Sequence, residues 1–115
     1  ERELIAELAP RAATAVVGVG YDAEPVPDAA RVADFCRARA IEPGYLLYAG
    51  RREEGKGLPL LFQHYAGYRA TRPDAPALAL MGSGALLVPD EIADHVIDLG
   101  FVPDADRSAA YAAAA

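Results

Sequence analysis

Apolar and polar positions along the chain fall into short blocks whose period changes from one block to the next. Ala13 to Val19 is rich in β-branched residues and ends at Gly20, which predicts a strand followed by a turn. From Asp22 to Asp28, two prolines and three acids break the pattern and predict a linker. Asp28 is suited to cap a helix running to about Ala40, with Val32, Phe35 and Cys36 on one face and arginines elsewhere; Pro43 and Gly44 end it. Tyr45 to Ala49 is a continuous apolar run bounded by turn residues, the pattern of a strand buried on both faces of a parallel sheet. The next helix begins near Leu58, because Pro59 suits a first turn, and Leu58, Leu61, Phe62, Tyr65 and Tyr68 follow its inner face until it closes before Pro73. Ala77 to Met81 is a second buried strand, ending in Gly82-Ser83-Gly84. Pro89 to Ala93 has room only for a short helical turn. Val96 to Leu99 forms a third buried strand, Gly100 a turn, and Asp104 or Asp106 caps a final alanine-rich helix.

This alternation predicts an α/β fold, a parallel sheet covered by flanking helices. Ligands of such sheets bind beyond the carboxyl ends of the strands. Three turns lie there, Gly50 to Gly57, Gly82 to Gly84 and Gly100 to Asp104, and they are expected to converge on one crevice.

Composition narrows the possibilities. At 115 residues the chain is one domain or part of one. A net charge of −6 argues against nucleic acid or an anionic membrane as the main partner, so any anion site must be local. Cys36 is the single cysteine, which excludes an intrachain disulfide, and with only His64 and His95 beside it the spacing offers no metal cluster. A reducing cytoplasm is the expected compartment. No apolar run reaches the roughly 18 residues of a membrane span, and no signal-peptide pattern is present. The chain starts at Glu1 without an initiator methionine and stops inside an alanine-rich helix, so it is expected to be a piece of a longer polypeptide.

The candidate chemistry lies in the first of the three turns. Ten arginines accompany a single lysine, Lys56, which stands between two glycines in YLLYAGRREEGKG. Gly50 lets backbone approach a ligand, Arg51 can fork onto phosphate oxygens, and Lys56 and Gly57 stand at the mouth of a helix whose amides and dipole favour an anion. Together they would make a diphosphate cradle. The competing reading is a solvated charged loop. Neither nucleotide fingerprint is present, since GxxxxGK[ST] is missing and GSG lacks the third glycine of a dinucleotide turn. Cys36 reads as a small core hydrophobe, His64 and His95 as surface or packing residues, and Phe62, Tyr65 and Tyr68 as helix-packing residues rather than a sugar platform.

The succession YLLYAGRREEGKG, RPDAPALALMGSG and VIDLGFVPDADRSAAYAAAA resembles the C-terminal, donor-binding domain of the group 1, or family 4, retaining glycosyltransferases of GT-B architecture. The likeness runs from about Val16 to the end of the chain, VVGVGYD resembling the segment that enters that domain. Two elements carry it jointly, GR-x4-KG and LGFVPD. The resemblance implies an incomplete Rossmann-like half of a GT-B enzyme, with residues 1–22 entering the domain and 23–115 forming a partial nucleotide-sugar-binding domain.

Position by position, the resemblance implies that Arg51 and Lys56, with Gly50 and Gly57, hold the diphosphate of a UDP- or GDP-linked sugar donor and stabilise it as the leaving group. Gly82 and Gly84 fall on the glycine turn beside the nucleotide. Phe101, Val102 and Asp104 fall on the loop that receives the base, and Arg107 falls where the family often has a basic residue near base or phosphate. The implied reaction is retaining transfer of a hexosyl group to an unidentified acceptor, with no cofactor and no metal. Val19-Gly20 stands where the family has Asn-Gly, and the helix after the second turn is abridged. The family's E-x7-E motif and its acceptor-binding domain fall outside this segment, so no catalytic residue is assigned within it and the segment alone is expected to be inactive. The alternative expectation is a non-catalytic nucleotide-binding or assembly module of the same fold. Open sheet edges would favour self-association.

Overall fold

The computed structural model describes residues 2–20, 25–85 and 87–115. Its centre is an open three-stranded sheet in which β1 (Leu46–Ala49), β2 (Leu78–Met81) and β3 (Val96–Gly100) run parallel in that order. Parallel neighbours need crossovers. The first is α3 (Leu58–Thr71), and the second is a 3-10 turn, Asp90–His95, in the short stretch between β2 and β3. The opposite face is covered by α2 (Ala29–Arg39) and α4 (Asp104–Ala112).

Alternation along β2 builds the two halves of the core. Leu78 and Leu80 pack with Leu58, Phe62 and Tyr65 of α3 and with Ile92, whereas Ala79 and Met81 pack with Phe35 and Cys36 of α2 and Ala109 and Ala110 of α4. Each leucine taken fully out of water here stabilises the fold by about 1.5–3 kcal/mol. Leu78, Ala79 and Leu80 are at most 1% exposed, so β2 is the strand buried on both faces. β1 is an edge strand, which leaves Leu46 to Tyr48 half-buried and Ala49 exposed rather than buried throughout.

Caps account for the helix boundaries. Asp28 Oδ1 accepts from the Arg31 amide at 2.8 Å and starts α2; Ala40, with φ 51°, ends it. Pro59 lies in the first turn of α3, as expected. At the other end Arg69 donates to the carbonyls of Ala75 and Pro73, while Tyr68, expected on the inner face, is 40% exposed. Neither Asp104 nor Asp106 caps α4, because Pro103 occupies the N-cap and both acids lie in the first turn. Asp106 instead pairs with Arg31 at 2.5 Å, tying α4 to α2.

The expected strand from Ala13 to Val19 does not form. Residues 12–20 have no regular structure, and Val16, Val17 and Val19 are at least 76% exposed. β propensity describes a side chain's fit to a neighbouring strand, and neither sheet edge is paired with this segment. Upstream, residues Arg2–Leu8 form a helix, α1, that the sequence reading did not anticipate and that buries none of its residues. Part of the expected linker, at 22–24, lies outside the described residues. Among the described residues no helix is long and apolar enough to cross a membrane.

Tyr45 fastens the end of the chain to the sheet. Its buried hydroxyl donates to the Ala110 carbonyl in the last turn of α4 at 2.6 Å, and its own carbonyl accepts from the Ala115 amide at 2.9 Å. Burial, with a smaller contribution from Cys36, pushes this hydroxyl up to about 12 from an ordinary value of 10.0. The folded state therefore holds the proton more tightly than the unfolded state. That contribution to stability is complete below pH 10.0 and is lost as pH rises toward about 12. Tyr45→Phe is expected to cost about 1 kcal/mol at neutral pH, the net value of one hydrogen bond. It should also flatten the alkaline loss of stability. Urea denaturation of both proteins at neutral and alkaline pH checks this, and parallel alkaline losses would contradict it.

Candidate functional site

Three loops leave the carboxyl ends of β1, β2 and β3, and backbone hydrogen bonds join them in sequence. The Gly50 amide donates to the Met81 carbonyl at 2.9 Å, the Arg52 amide to Ser83 at 2.8 Å, and the Gly82 amide to Gly100 at 2.8 Å. The three turns marked in the sequence thus meet along one edge of the sheet.

Glycine is required at the closest approach. Gly82 has φ 138°, and a Cβ built there would lie 1.9 Å from the Gly50 carbonyl oxygen. Gly84 has φ 121°, and its Cβ would lie 2.8 Å from the Arg52 carbonyl oxygen. These glycines therefore let loop approach loop, whatever they do for a ligand.

Beyond Gly50 the chain makes a 3-10 turn, Glu54–Lys56, and enters α3 through Gly57. The N-cap residue, Gly57, has no side chain with which to cap this helix, and the helix dipole gives this end partial positive charge. Arg51 is exposed and pairs with Glu53 at 3.2 Å. Lys56 is exposed and forms no ion pair among the described residues. The amides at the helix mouth can accept an anion, and the loop that leads into them carries Arg51 and Lys56, both exposed.

The third loop divides its candidates. Phe101 is 73% exposed, with a ring open to solvent, but Val102, expected to help receive the base, is buried in the core with Leu99 and Ala109. Asp104 accepts from Arg107 at 2.8 Å on the first turn of α4.

Sequence reasoning missed the pair that occupies the middle of this edge. Arg52, not Arg51, is the buried cation: its side chain is 4% exposed, forks onto both carboxylate oxygens of Asp98 on β3, and donates to the Leu80 carbonyl of β2 at 3.1 Å. Asp98 in turn accepts from the Gly100 amide at 2.7 Å. The Arg52 hydrogen bond, aided by the Gly100 amide and the guanidinium charge and opposed by partial burial, holds the Asp98 carboxyl below the ordinary aspartate range. A signal was available, since Asp98 is the only charge inside the apolar run VIDLG.

Beside the loops, a groove of about 580 Å³ opens between the start of α3 and the segment after β2, where the connection to β3 lacks a full helix. Leu58, Pro59, Phe62, Leu87 and Pro89 give it apolar walls, and Arg52 lies at one side. Arg51, Lys56, Gly82 and Gly84 do not line it. Among the described residues no group of three His, Cys, Asp or Glu side chains could hold a metal ion. No protein-family model matches the chain, and no curated protein sequence matches it.

Proposed function

We propose that this chain is the nucleotide-sugar-binding part of a retaining glycosyltransferase of GT-B architecture. The observation that carries the reading is the meeting of three strand-end loops beside the uncapped N-terminus of α3, with Arg51 and Lys56 exposed there. The donor's diphosphate lies against Arg51, Lys56 and the amides beyond Gly57. The base lies near the Phe101 ring, held in place by the buried Val102 beside it, and Gly82 and Gly84 shape the turn next to the nucleotide.

The chemistry needs little else from this half. Cleaving a glycosyl phosphate builds negative charge on the β-phosphate, and cations fixed in advance relieve it as the bond breaks. The sugar-binding glutamates and the acceptor site belong to other parts of such an enzyme.

A second reading, an assembly module of the same fold, draws on the exposed apolar residues from Leu4 to Val19. Ligand binding separates the two. Calorimetric titration with UDP, GDP and ADP is expected to find one diphosphate that binds, and Arg51→Ala or Lys56→Ala should each weaken it by about 1–3 kcal/mol, the range for hydrogen bonds to charged groups. A folded protein that binds none of the three, or binds one indifferently to both substitutions, would leave the assembly reading.

A further inference from the structure

We propose that the Arg52–Asp98 ion pair is a positioning device that sets the three strand-end loops in their binding geometry, and that adjacent Arg51 and Arg52 divide the work, Arg51 facing the ligand and Arg52 the frame. Every loop has a direct tie to this pair. The first loop contains Arg52 itself. The second is held where the Arg52 amide donates to Ser83, with Gly84 packed on the Arg52 backbone. The third is held where Asp98 accepts from the Gly100 amide, whose own carbonyl receives the Gly82 amide. One guanidinium therefore links the end of β1, the Leu80 carbonyl of β2 and Asp98 of β3.

Stability alone does not account for an arginine at this position. Its Nε is buried without a hydrogen-bond partner among the described residues, and taking a guanidinium out of water is costly. An apolar chain of similar length would fill the space without either penalty. What it would lack is the fork, which fixes direction as well as distance.

The binding arm of this inference rests on the function proposed above, but its structural arm does not. Amide hydrogen exchange without ligand is expected to show Arg52→Met losing protection by about tenfold or more at Gly50, Gly82 and Gly100, while Leu46 and Ala113, whose amides are bonded away from the loops, keep theirs. Arg52→Lys, which retains the charge but not the fork, should recover part of that protection. If Arg52→Met does not fold, Arg52→Lys against the unsubstituted protein gives the same readout, a smaller loss confined to the same three loop amides. A loss spread evenly over loop and core amides would overturn the proposal, because a merely structural residue destabilises the whole fold at once. In the binding arm, diphosphate affinity should fall in Arg52→Met more than in Tyr45→Phe. If the unsubstituted protein binds no diphosphate, the functional reading fails while the exchange pattern still decides the positioning role.

Discussion

Gly82→Ala is expected to destabilise the chain by about 3 kcal/mol or more, from backbone strain and overpacking together. A side chain at φ 138° is strained wherever it occurs, and here the new methyl would also lie 1.9 Å from the Gly50 carbonyl oxygen. Backbone does not yield as the end of a flexible side chain does. The β1 loop must move, and the bonds from Gly50 to Met81 and from Gly82 to Gly100 would break. Gly44→Ala separates strain from collision, because φ there is 91° but nothing lies within 4 Å of the added methyl. Its cost should stay near 1–2 kcal/mol, roughly that of a left-handed residue alone. Urea midpoints of the two variants measure the difference, and equal losses would mean that the two loops are not in contact.

Asp98→Ala is expected to cost about 3 kcal/mol, because it leaves the Arg52 guanidinium buried without its counter-charge. The partners are unequal. Arg52 is 4% exposed and Asp98 47%, so Arg52→Met only returns a half-exposed carboxylate to water and should stay within about 1 kcal/mol of the unsubstituted chain. The pair also sets a sign for pH. The Asp98 carboxyl is depressed in the folded state, so its contribution is present above the unfolded-state value and is lost as pH falls through the folded one. Part of the acid loss of stability should therefore disappear in Arg52→Met. Denaturant titration across the acid range measures both effects, and equal costs for the two single substitutions would contradict the asymmetry of burial.

The elements that sequence reading recovered are those whose signals are local. β2 is a bounded apolar run, α2 carries its own cap at Asp28, and α3 has Pro59 in its first turn and closes before Pro73, so each needed only neighbouring residues to be recognised. Ala13 to Val19 has the same β-branched character and is not a strand, because a strand also needs a partner. Asp104 and Asp106 are good capping residues that fall inside the first turn, one and three residues behind the N-cap Pro103.

The candidate site was legible to a similar depth. The convergence of the three turns follows from topology, and the turn positions are marked by glycine. The Arg52–Asp98 pair was not legible, since Arg52 sits in a run of charges that resembles any solvated loop and its partner lies 46 residues away. The glycine turn was read toward a ligand, whereas Gly82 first meets another loop.

The proposed function requires that the edge formed by these loops bind a nucleoside diphosphate. An NMR titration of the amide resonances with UDP, GDP and ADP tests it most directly. Saturable shifts are expected for one nucleotide across Gly50 to Gly57, Gly82 to Gly84 and Phe101 to Asp104, with Gly44 and Ala77 at the opposite end of the strands unmoved. Shifts that stay absent with all three nucleotides, or that gather only around Leu87 and Phe62 in the neighbouring groove, would contradict it.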